Sequence, residues 1–437
     1  MHALQCGDRI DLQFEAAWAL TNIASTERTS VVVESGAVPH LTQALLSACP
    51  NVREQAAWCL GNISGDGPSY RDCVLDAGGL EPLLKNISQP ANDSLLKNCT
   101  WALSNLCRGK PHPPQHVIAP AFPVLAQLLG SEDKEVVIDA TWALSYLSDG
   151  SDERIASVVA SGVVPSLVNL LSSSKTHVVI PALRCLGNIV SGSDGQTQAV
   201  VDAGVLFTLV PLLSHQKKNI RKETCWMLSN IAAGSATQLD SLMRTPDLIA
   251  PILGQLAPSA EWDVRKEAAW VVSNVSTGGT PAHVLKLVEH GAIRPLCDLL
   301  EVGEVRILVV ALDALDAILR SAGSAVAGFI QLIDEADGVE RIENLQEHES
   351  QEVYNRCVKM IESYFGGAEG AEEDCENLAP QTDDNTFTFG AAPAAPSVFK
   401  FGEAPAAPPS AQYSFGGMQT MQTANNFGAA STPQFTF

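Results

Sequence analysis

The chain has 437 residues, with 27 Lys and Arg against 49 Asp and Glu, so its formal charge at pH 7 is −22. This negative charge argues against direct binding of nucleic acid or of an anionic membrane, and it favours a basic partner. The eleven cysteines form no Cys-x-x-Cys pair and the N-terminus lacks a secretory apolar core, which together predict a reducing compartment, the cytoplasm or the nucleus.

From about residue 11 to residue 365 the sequence repeats with a period of roughly 42 residues, a length typical of stacked units of two or three helices. Within each unit there is a glycine, often followed by a proline and then by a Leu pair. Examples are Gly36/Pro39/Leu45-Leu46, Gly78/Pro82/Leu83-Leu84, Gly162/Pro165/Leu170-Leu171 and Gly291/Pro295/Leu299-Leu300. Because glycine ends a helix and proline is tolerated in the first turn of the next, each unit is predicted to contain two shorter helices before a third.

The third helix of each unit carries a tryptophan, followed four residues later by an asparagine. The tryptophans are Trp18, Trp58, Trp101, Trp142, Trp226 and Trp270, and Arg184 fills the remaining position. The partners at +4 are Asn22, Asn62, Asn105, Tyr146, Asn188, Asn230 and Asn274. We call these two rows the ladder. An eighth copy is predicted at Leu312 and Asp316.

Three helices per unit of about 42 residues predict an all-α fold, an α-solenoid. Repeats that cannot bury their apolar faces alone have to stack, and stacking leaves a long concave surface as the natural binding site. The predicted solenoid covers residues 1–365, with a partial first repeat, about eight repeats marked by Trp/Asn helices and a degenerate C-terminal end.

The segment 366–437 has a different composition. Eight acidic residues and a single basic one, Lys400, give it −7 of the charge of −22, and Ala, Pro, Gly, Ser and Gln dominate it. Because it offers no periodic apolar face, it is predicted to be a disordered, low-complexity tail.

Helical geometry separates the ladder from the predicted core. At about 100° per residue, the Asn at +4 and the residue at −3 lie within about 60° of the Trp. The −3 residues are Glu15, Gln55, Asn98, Asp139, Pro181, Glu223 and Glu267. The apolar positions −2, +2 and +5, such as Ala16/Leu20/Ile23 and Ala56/Leu60/Ile63, lie near 160°. The ladder is therefore predicted to be an exposed recognition surface.

Such a ladder is suited to an extended basic peptide. Asn offers both donors and an acceptor to a peptide backbone, and adjacent indoles form slots that accept the side chain of Lys or Arg, with a cation–π gain of about 0.5–2 kcal/mol. The acidic candidates beside the ladder are Asp66, Asp139, Asp194, Glu223 and Glu267.

Tyr146 and Arg184 interrupt the ladder and divide it into two parts. We call Trp18, Trp58 and Trp101 the N-terminal half site, and Trp226 and Trp270 the C-terminal half site. Arg184 is expected to repel a bound lysine. Three repeats, or roughly 30 Å at the usual distance between packed helices, separate Asn105 from Asn230, so one ligand with two basic clusters could occupy both half sites.

With this repeated W-x-x-x-N pattern, the sequence resembles the armadillo domain of the importin α family over roughly residues 11–365. Segments such as Gln13–Ala24 and Lys266–Trp270 read as family sequence. The resemblance implies a right-handed solenoid of armadillo repeats and a nuclear import adaptor that binds the Lys/Arg-rich nuclear localisation signals of cargo proteins while shuttling between cytoplasm and nucleus.

The resemblance also implies two sets of site residues. The major site is expected at Trp18, Asn22, Gln55, Trp58, Asn62, Asp66, Asn98, Trp101, Asn105 and Asp139, with Asp66 meeting the key lysine of the signal. The minor site is expected at Asn188, Asp194, Thr197, Glu223, Trp226, Asn230, Glu267, Trp270 and Asn274.

Both ends of the sequence bear on the partners. Family members begin with a Lys/Arg-rich arm that binds importin β, and the sequence from Met1 holds neither this arm nor most of a first repeat, so cargo binding without self-inhibition and without the usual importin β contact is expected. The cluster Glu369–Glu376 lies where the recycling exportin is expected to bind. The Phe-Gly motifs Phe387–Gly390 and Phe399–Gly402 resemble those of nucleoporins, although a low-complexity linker is the preferred interpretation.

The sequence also bears on two other classes of function, an enzyme and a scaffold. No phosphate-binding glycine loop, nucleophile elbow or H-E-x-x-H motif occurs, so neither an enzyme nor a cofactor or metal is expected. No apolar run reaches the roughly 20 residues of a membrane helix. The stronger alternative is a β-catenin-like armadillo scaffold for signalling or adhesion partners, which would be expected to carry a basic groove for acidic segments.

Overall fold

The computed structural model describes residues 2–6 and 9–366, and the regular secondary structure of this part is entirely helical, without a strand. The predictions for the tail, the acidic cluster and the Phe-Gly motifs lie outside the described residues. No helix in residues 2–6 and 9–366 has the length and apolar character needed to cross a bilayer.

A short helix α1 (His2–Gln5) precedes α2 (Ile10–Ala24), and eight groups of three helices follow. The first four groups are α3–α5 (Thr29–Glu34, Ala37–Ala44, Pro50–Gly65), α6–α8 (Pro68–Asp76, Leu80–Ser88, Asp93–Cys107), α9–α11 (Gln115–Ile118, Ala121–Leu128, Lys134–Leu147) and α12–α14 (Asp152–Ala160, Val164–Leu170, Thr176–Ile189). The other four are α15–α17 (Asp194–Asp202, Val205–Leu212, Lys218–Ala232), α18–α20 (Ala236–Arg244, Ile249–Gly254, Trp262–Gly278), α21–α23 (Pro281–Glu289, Ile293–Cys297, Val305–Ser321) and α24–α26 (Val326–Asp334, Gly338–Asn344, Gln351–Met360). Short 3-10 turns at Gly323–Ala325 and Leu345–Glu347 and a π-helical turn at Ile361–Phe365 complete the chain.

Glycine ends the first helix of a repeat, as the sequence pattern predicts. Gly36, Gly78, Gly162 and Gly291 have φ between +74° and +85°, a left-handed conformation that side chains rarely adopt. A Cβ at any of these four positions would meet no atom within 4 Å, so the backbone conformation alone requires glycine. Pro165 lies in the first turn of α13, where its missing N–H costs no helical hydrogen bond.

The long third helices stack side by side in one continuous layer. Each long helix packs on the next one along the chain, in the order α2, α5, α8, α11, α14, α17, α20, α23 and α26. One apolar core runs through the whole stack, as expected when single repeats cannot bury their apolar faces alone. The observed architecture is the predicted all-α solenoid with three helices per repeat.

The predicted core stripe is buried wherever a long helix has long neighbours on both sides. Ala56, Leu60 and Ile63 of α5 are fully buried. In α2, by contrast, Ala16 and Leu20 are half-buried and Ile23 is exposed, so the prediction that this stripe is buried is wrong for the first repeat. The physical reason is that only the short helix α1 precedes α2, so one side of α2 is left uncovered.

Candidate peptide-binding groove

Six indoles occupy the same position on successive long helices of the layer. They belong to α2, α5, α8, α11, α17 and α20, and Arg184 takes the position on α14. Trp18 is 48% exposed, and the other five are half-buried. None of the six belongs to the buried core: one part of each ring packs on the solenoid while another part faces solvent.

Two of the indoles rest on glycines of the preceding repeat. A Cβ placed on Gly61 would lie 2.3 Å from Cζ3 of Trp101, and one placed on Gly187 would lie 2.4 Å from Cζ3 of Trp226. Real Cβ contacts of this length do not occur, so only glycine admits the rings at these positions. The pairs Gly61-Asn62 and Gly187-Asn188 therefore set the position of the next repeat's indole as well as carrying their own asparagine.

The ladder asparagines bind neighbouring repeats to each other. Each Nδ2 donates to the carbonyl of the residue that precedes the +4 ladder residue of the repeat before it. These bonds run from Asn62 to Thr21 (3.3 Å), from Asn105 to Gly61 (3.0 Å), from Asn188 to Ser145 (3.1 Å) and from Asn274 to Ser229 (3.0 Å). Sequence reasoning treated these amides as free for a ligand and missed the contact, because the acceptor is a backbone carbonyl about 43 residues away.

Two asparagines depart from this arrangement. Asn22 on the first long helix is exposed, since no ladder repeat precedes it in the described residues. Asn230 is 4% exposed, and its buried Nδ2 has no hydrogen-bond partner. An amide has two N–H groups and a carbonyl, so even the bonded asparagines keep hydrogen-bonding capacity for a further partner.

Asp139 is a half-buried acid that forms no ion pair with any other described residue. Burial, and then the negative charges of Glu135 and Asp133, raise the pKa of this carboxyl to about 7. Lys97 Nζ forms ion pairs with Oδ2 of Asp133 at 3.0 Å and with Oε2 of Glu135 at 2.9 Å. Within the described part of the chain, no ion pair involves Asp139. A cation brought to Asp139 by a ligand would therefore find an acid that gains from ionising next to it.

The other predicted residues of the N-terminal half differ in exposure. Asp66 follows the last turn of α5 and is exposed. Gln55 is buried, and its Oε1 has no hydrogen-bond partner among the described residues. Asn98 is half-buried and donates to Oε1 of Glu54 at 3.3 Å. Tyr146 takes the place of an asparagine and stacks on Trp142, with ring centroids 5.7 Å apart.

In the C-terminal half, Arg184 already engages a predicted acid. Its guanidinium forms an ion pair with Glu223 and lies with Cζ 6.0 Å from the ring centroid of Trp226. Burial raises the pKa of Glu223, while Arg184 acts in the opposite direction. The second carboxylate oxygen, Oε2, is buried without a partner. Arg184 is thus held within the ladder by an acid and an indole, in addition to interrupting it.

The remaining candidates of the C-terminal half differ in how far their side chains are buried. Glu267 is half-buried beside the ladder, and its pKa is raised to about 7, chiefly by burial. Asp194 is exposed at the first turn of α15. Thr197 is almost fully buried and its hydroxyl donates to the carbonyl of Val190, so it offers no free surface to a ligand.

The eighth ladder position lies one residue later than the sequence pattern indicated. Leu312, the predicted counterpart of the tryptophans, is fully buried, whereas the neighbouring Asp313 is half-buried and lines the groove. Each earlier long helix begins eight residues before its ladder position, and the start of α23 places Asp313 there. The prediction of Leu312 and Asp316 is therefore wrong. Arg306, near the start of α23, places Cζ 5.2 Å from the ring centroid of Trp270.

A cavity of about 660 Å³ lies at this end of the ladder, between α20, α23 and α26. Its acids are already paired: Asp313 binds Arg356 at 2.7 Å, and Asp316 binds Arg320 at 3.1 Å and Lys359 at 3.5 Å. The acidic character of the ladder therefore ends at Glu267. From Arg306 onward the groove has both signs of charge.

Sequence families and solved proteins match both the repeat pattern and the fold. The Armadillo/beta-catenin-like repeat family matches residues 25–65, 67–108, 110–149, 151–191, 193–233 and 280–315, and the Atypical Arm repeat family matches residues 328–381. An engineered protein of known structure aligns with a TM-score of 0.70 and 28% sequence identity. The alignment covers 82% of this chain and 96% of the engineered protein. A designed armadillo repeat protein in complex with the peptide (KR)4 aligns with a TM-score of 0.50 and 29% identity, covering 56% of this chain and 99% of its own.

Curated plant proteins match over most of the chain. Importin subunit alpha-1b of Oryza sativa subsp. japonica is 47% identical over 397 residues, which are 89% of this chain and 73% of the relative. Importin subunit alpha-2 of Arabidopsis thaliana is 51% identical over 383 residues, which are 85% of this chain and 70% of the relative.

Proposed function

The chain belongs to the importin α family, and from this premise we propose that it is a nuclear import adaptor that binds Lys/Arg-rich nuclear localisation signals of cargo proteins as extended peptides. The observation that carries this proposal is the row of partly exposed indoles on successive long helices, accompanied by acids. The cation-free Asp139 is the strongest single element of that row. Shuttling between cytoplasm and nucleus is proposed together with this role.

Recognition of the peptide backbone is assigned to the asparagines. Asn62, Asn105 and Asn274 are anchored through one N–H to the preceding repeat, which fixes the orientation of the whole carboxamide. A fixed amide loses little side-chain entropy when it binds a peptide group, so its remaining N–H and carbonyl form a pre-organised contact. Such contacts do not depend on the sequence of the peptide.

Recognition of basic side chains is assigned to the indoles and acids. A Lys or Arg stem lying between two rings gains apolar contact and a cation–π interaction of about 0.5–2 kcal/mol. In the N-terminal half, Asp139 and Asp66 are the acids proposed to receive the cationic ends, since neither carries an ion pair within the described residues. The (KR)4 peptide bound by the designed armadillo repeat protein supports a basic ligand for a groove of this architecture.

The direct test is a titration of the purified 437-residue chain with a fluorescent Lys-rich peptide at two salt concentrations. Affinity is expected to fall as salt rises, because the contact is between opposite charges. The variants Trp58→Ala and Asp66→Lys are expected to weaken binding by roughly tenfold each, in line with the loss of a cation–π contact or an ion pair. Asp76→Lys is the matched control: it makes the same charge change at an exposed residue of α6, outside the ladder.

Three results would contradict the proposal. Binding could tighten at high salt, both ladder variants could retain full affinity, or Asp76→Lys could weaken binding as much as Asp66→Lys. Preference for a peptide with Glu in place of each Lys would favour the β-catenin-like scaffold instead.

A further inference from the structure

The two tryptophans of the C-terminal half site each carry a guanidinium of the chain itself. Arg306, on α23, places Cζ 5.2 Å from the ring centroid of Trp270, and Arg184, on α14, places Cζ 6.0 Å from that of Trp226. Both distances are within the range of a cation–π contact, about 6 Å. The two arginines approach from opposite ends of the half site, Arg184 from the preceding repeat and Arg306 from the following one.

Each of these arginines also faces an acid that lies three residues before its tryptophan. Arg184 forms an ion pair with Glu223, which precedes Trp226, and Arg306 acts electrostatically on Glu267, which precedes Trp270. An indole face together with a carboxylate is the environment proposed above for a basic side chain of the ligand. The chain thus places its own cations where those of a peptide would bind.

The N-terminal half site differs in this respect. Among residues 2–6 and 9–366, no Lys or Arg lies over the rings of Trp18, Trp58 or Trp101. Lys97 pairs with Asp133 and Glu135 and not with Asp139. The two half sites therefore differ in the number of indoles and also in whether an arginine of the chain lies over those indoles.

We propose that Arg306 is a specificity-determining residue that competes with the ligand: it lies over the ring of Trp270, and a basic side chain can use that side of the ring only by displacing it. Arg184 has the same role at Trp226, where it also forms an ion pair with Glu223. This inference rests on the proposed function, because it concerns a basic peptide in the same groove. It assigns a difference in ligand binding between the two half sites to two named side chains.

Of the two arginines, Arg306 is the better one to replace in a test of this proposal. It is exposed and lies near the start of α23. Replacing Arg184 would leave the buried carboxylate of Glu223 without its cation. Arg244 offers a matched control, since it is an exposed arginine of α18 whose ion pair is with Asp240, one turn earlier on the same helix.

The experiment measures binding of a single-cluster Lys-rich peptide to the full chain in a background of Asp66→Lys and Trp58→Ala, which disables the N-terminal half site. Arg306→Gln is expected to tighten binding by roughly three- to tenfold, the size of one cation–π contact. Arg244→Gln removes the same charge and is expected to change the affinity by less than about twofold. Thermal unfolding of each variant verifies that the fold is kept.

The proposal is overturned if Arg306→Gln binds no more tightly than its background, or if Arg244→Gln tightens binding as much. If the background does not bind at all, restoration of binding by Arg306→Gln supports the proposal, and no restoration overturns it. Failure of the unmodified chain to bind the peptide would instead overturn the proposed function.

Discussion

At the residue scale, single atoms decide how the ladder is built. Gly61 and Gly187 admit the rings of Trp101 and Trp226 because they lack a Cβ. Each of these two half-buried tryptophans thus owes its position to a glycine about 40 positions earlier in the chain.

The first prediction concerns this close contact. Gly61→Ala is expected to displace the ring of Trp101, because the added Cβ would overlap it. The affinity for a Lys-rich peptide is expected to fall by roughly three- to tenfold, since a displaced indole loses its cation–π geometry with the ligand. Fluorescence anisotropy measures the affinity. Gly254→Ala, at a helical position of α19 with no atom within 4 Å of the added Cβ, is the control and is expected to bind normally. Normal binding by Gly61→Ala would show that the indole does not need its glycine.

The second prediction concerns pH. The folded-state pKa of Asp139 is raised to about 7 from its ordinary value of 3.8. The folded chain therefore retains a proton that the unfolded chain loses, and this group lowers stability as pH rises from about 4 to about 7. A bound lysine favours the ionised carboxyl, so peptide affinity is expected to increase as pH rises from about 6 to about 8 and then to level off.

Titrations of one Lys-rich peptide at several pH values test this prediction. Asp139→Asn should remove most of the pH dependence at the N-terminal half site, because the amide cannot ionise. Glu267→Gln, which replaces the other groove acid with a pKa of about 7, should remove what remains. An unchanged pH profile in the double variant would contradict the assignment.

At the scale of elements, the asparagines are contacts between helices. Asn105 on α8 donates to the Gly61 carbonyl on α5, and Asn274 on α20 donates to the Ser229 carbonyl on α17. These bonds supplement the apolar core by fixing the relative position of neighbouring long helices at the level of the ladder. Regular spacing along the groove is the consequence.

The third prediction follows from that contact. Asn105→Ala is expected to lower the free energy of unfolding by about 1–3 kcal/mol, because the buried Gly61 carbonyl loses its donor. Asn22→Ala is the matched control, since Asn22 is exposed and connects to no earlier repeat in the described chain. Urea unfolding monitored by circular dichroism compares the two. Equal destabilisation of both variants would rule out the proposed contact between repeats.

At the scale of the whole molecule, the solenoid determines the distance between the half sites. Three repeats lie between Asn105 and Asn230, which corresponds to roughly 30 Å at the usual distance between packed helices. An extended linker of about 9–12 residues can span this distance.

The fourth prediction uses this distance. A peptide with two basic clusters joined by about ten residues is expected to bind more tightly than either cluster alone, because the second contact forms at a high effective concentration. Shortening the linker to about four residues should return the affinity to that of a single cluster, since such a linker spans less than half of the distance. Isothermal titration calorimetry measures both. An affinity independent of linker length would mean that the two half sites do not act together.

Much of the fold and part of the site could be predicted from local sequence. The glycines with positive φ, the helix triplets and the Trp/Asn register depend on interactions within one repeat, so the period of about 42 residues reveals them. The eighth ladder position could not be predicted in the same way. Asp313, and not Leu312, takes that position, and only the burial of Leu312 beside the half-buried Asp313 distinguishes these two neighbouring residues.

By itself, the sequence determined the helical repeat, the order of the indoles and asparagines and the acidic charge of the chain, because each of these is a property of residue type and spacing. The tertiary structure alone decided which groups are already engaged: the asparagine amides bound to backbone carbonyls, Arg184 held by Glu223, Arg306 over Trp270 and Asp139 without a cation. These contacts join residues about 40 positions apart, and their geometry depends on how one repeat stacks on the next.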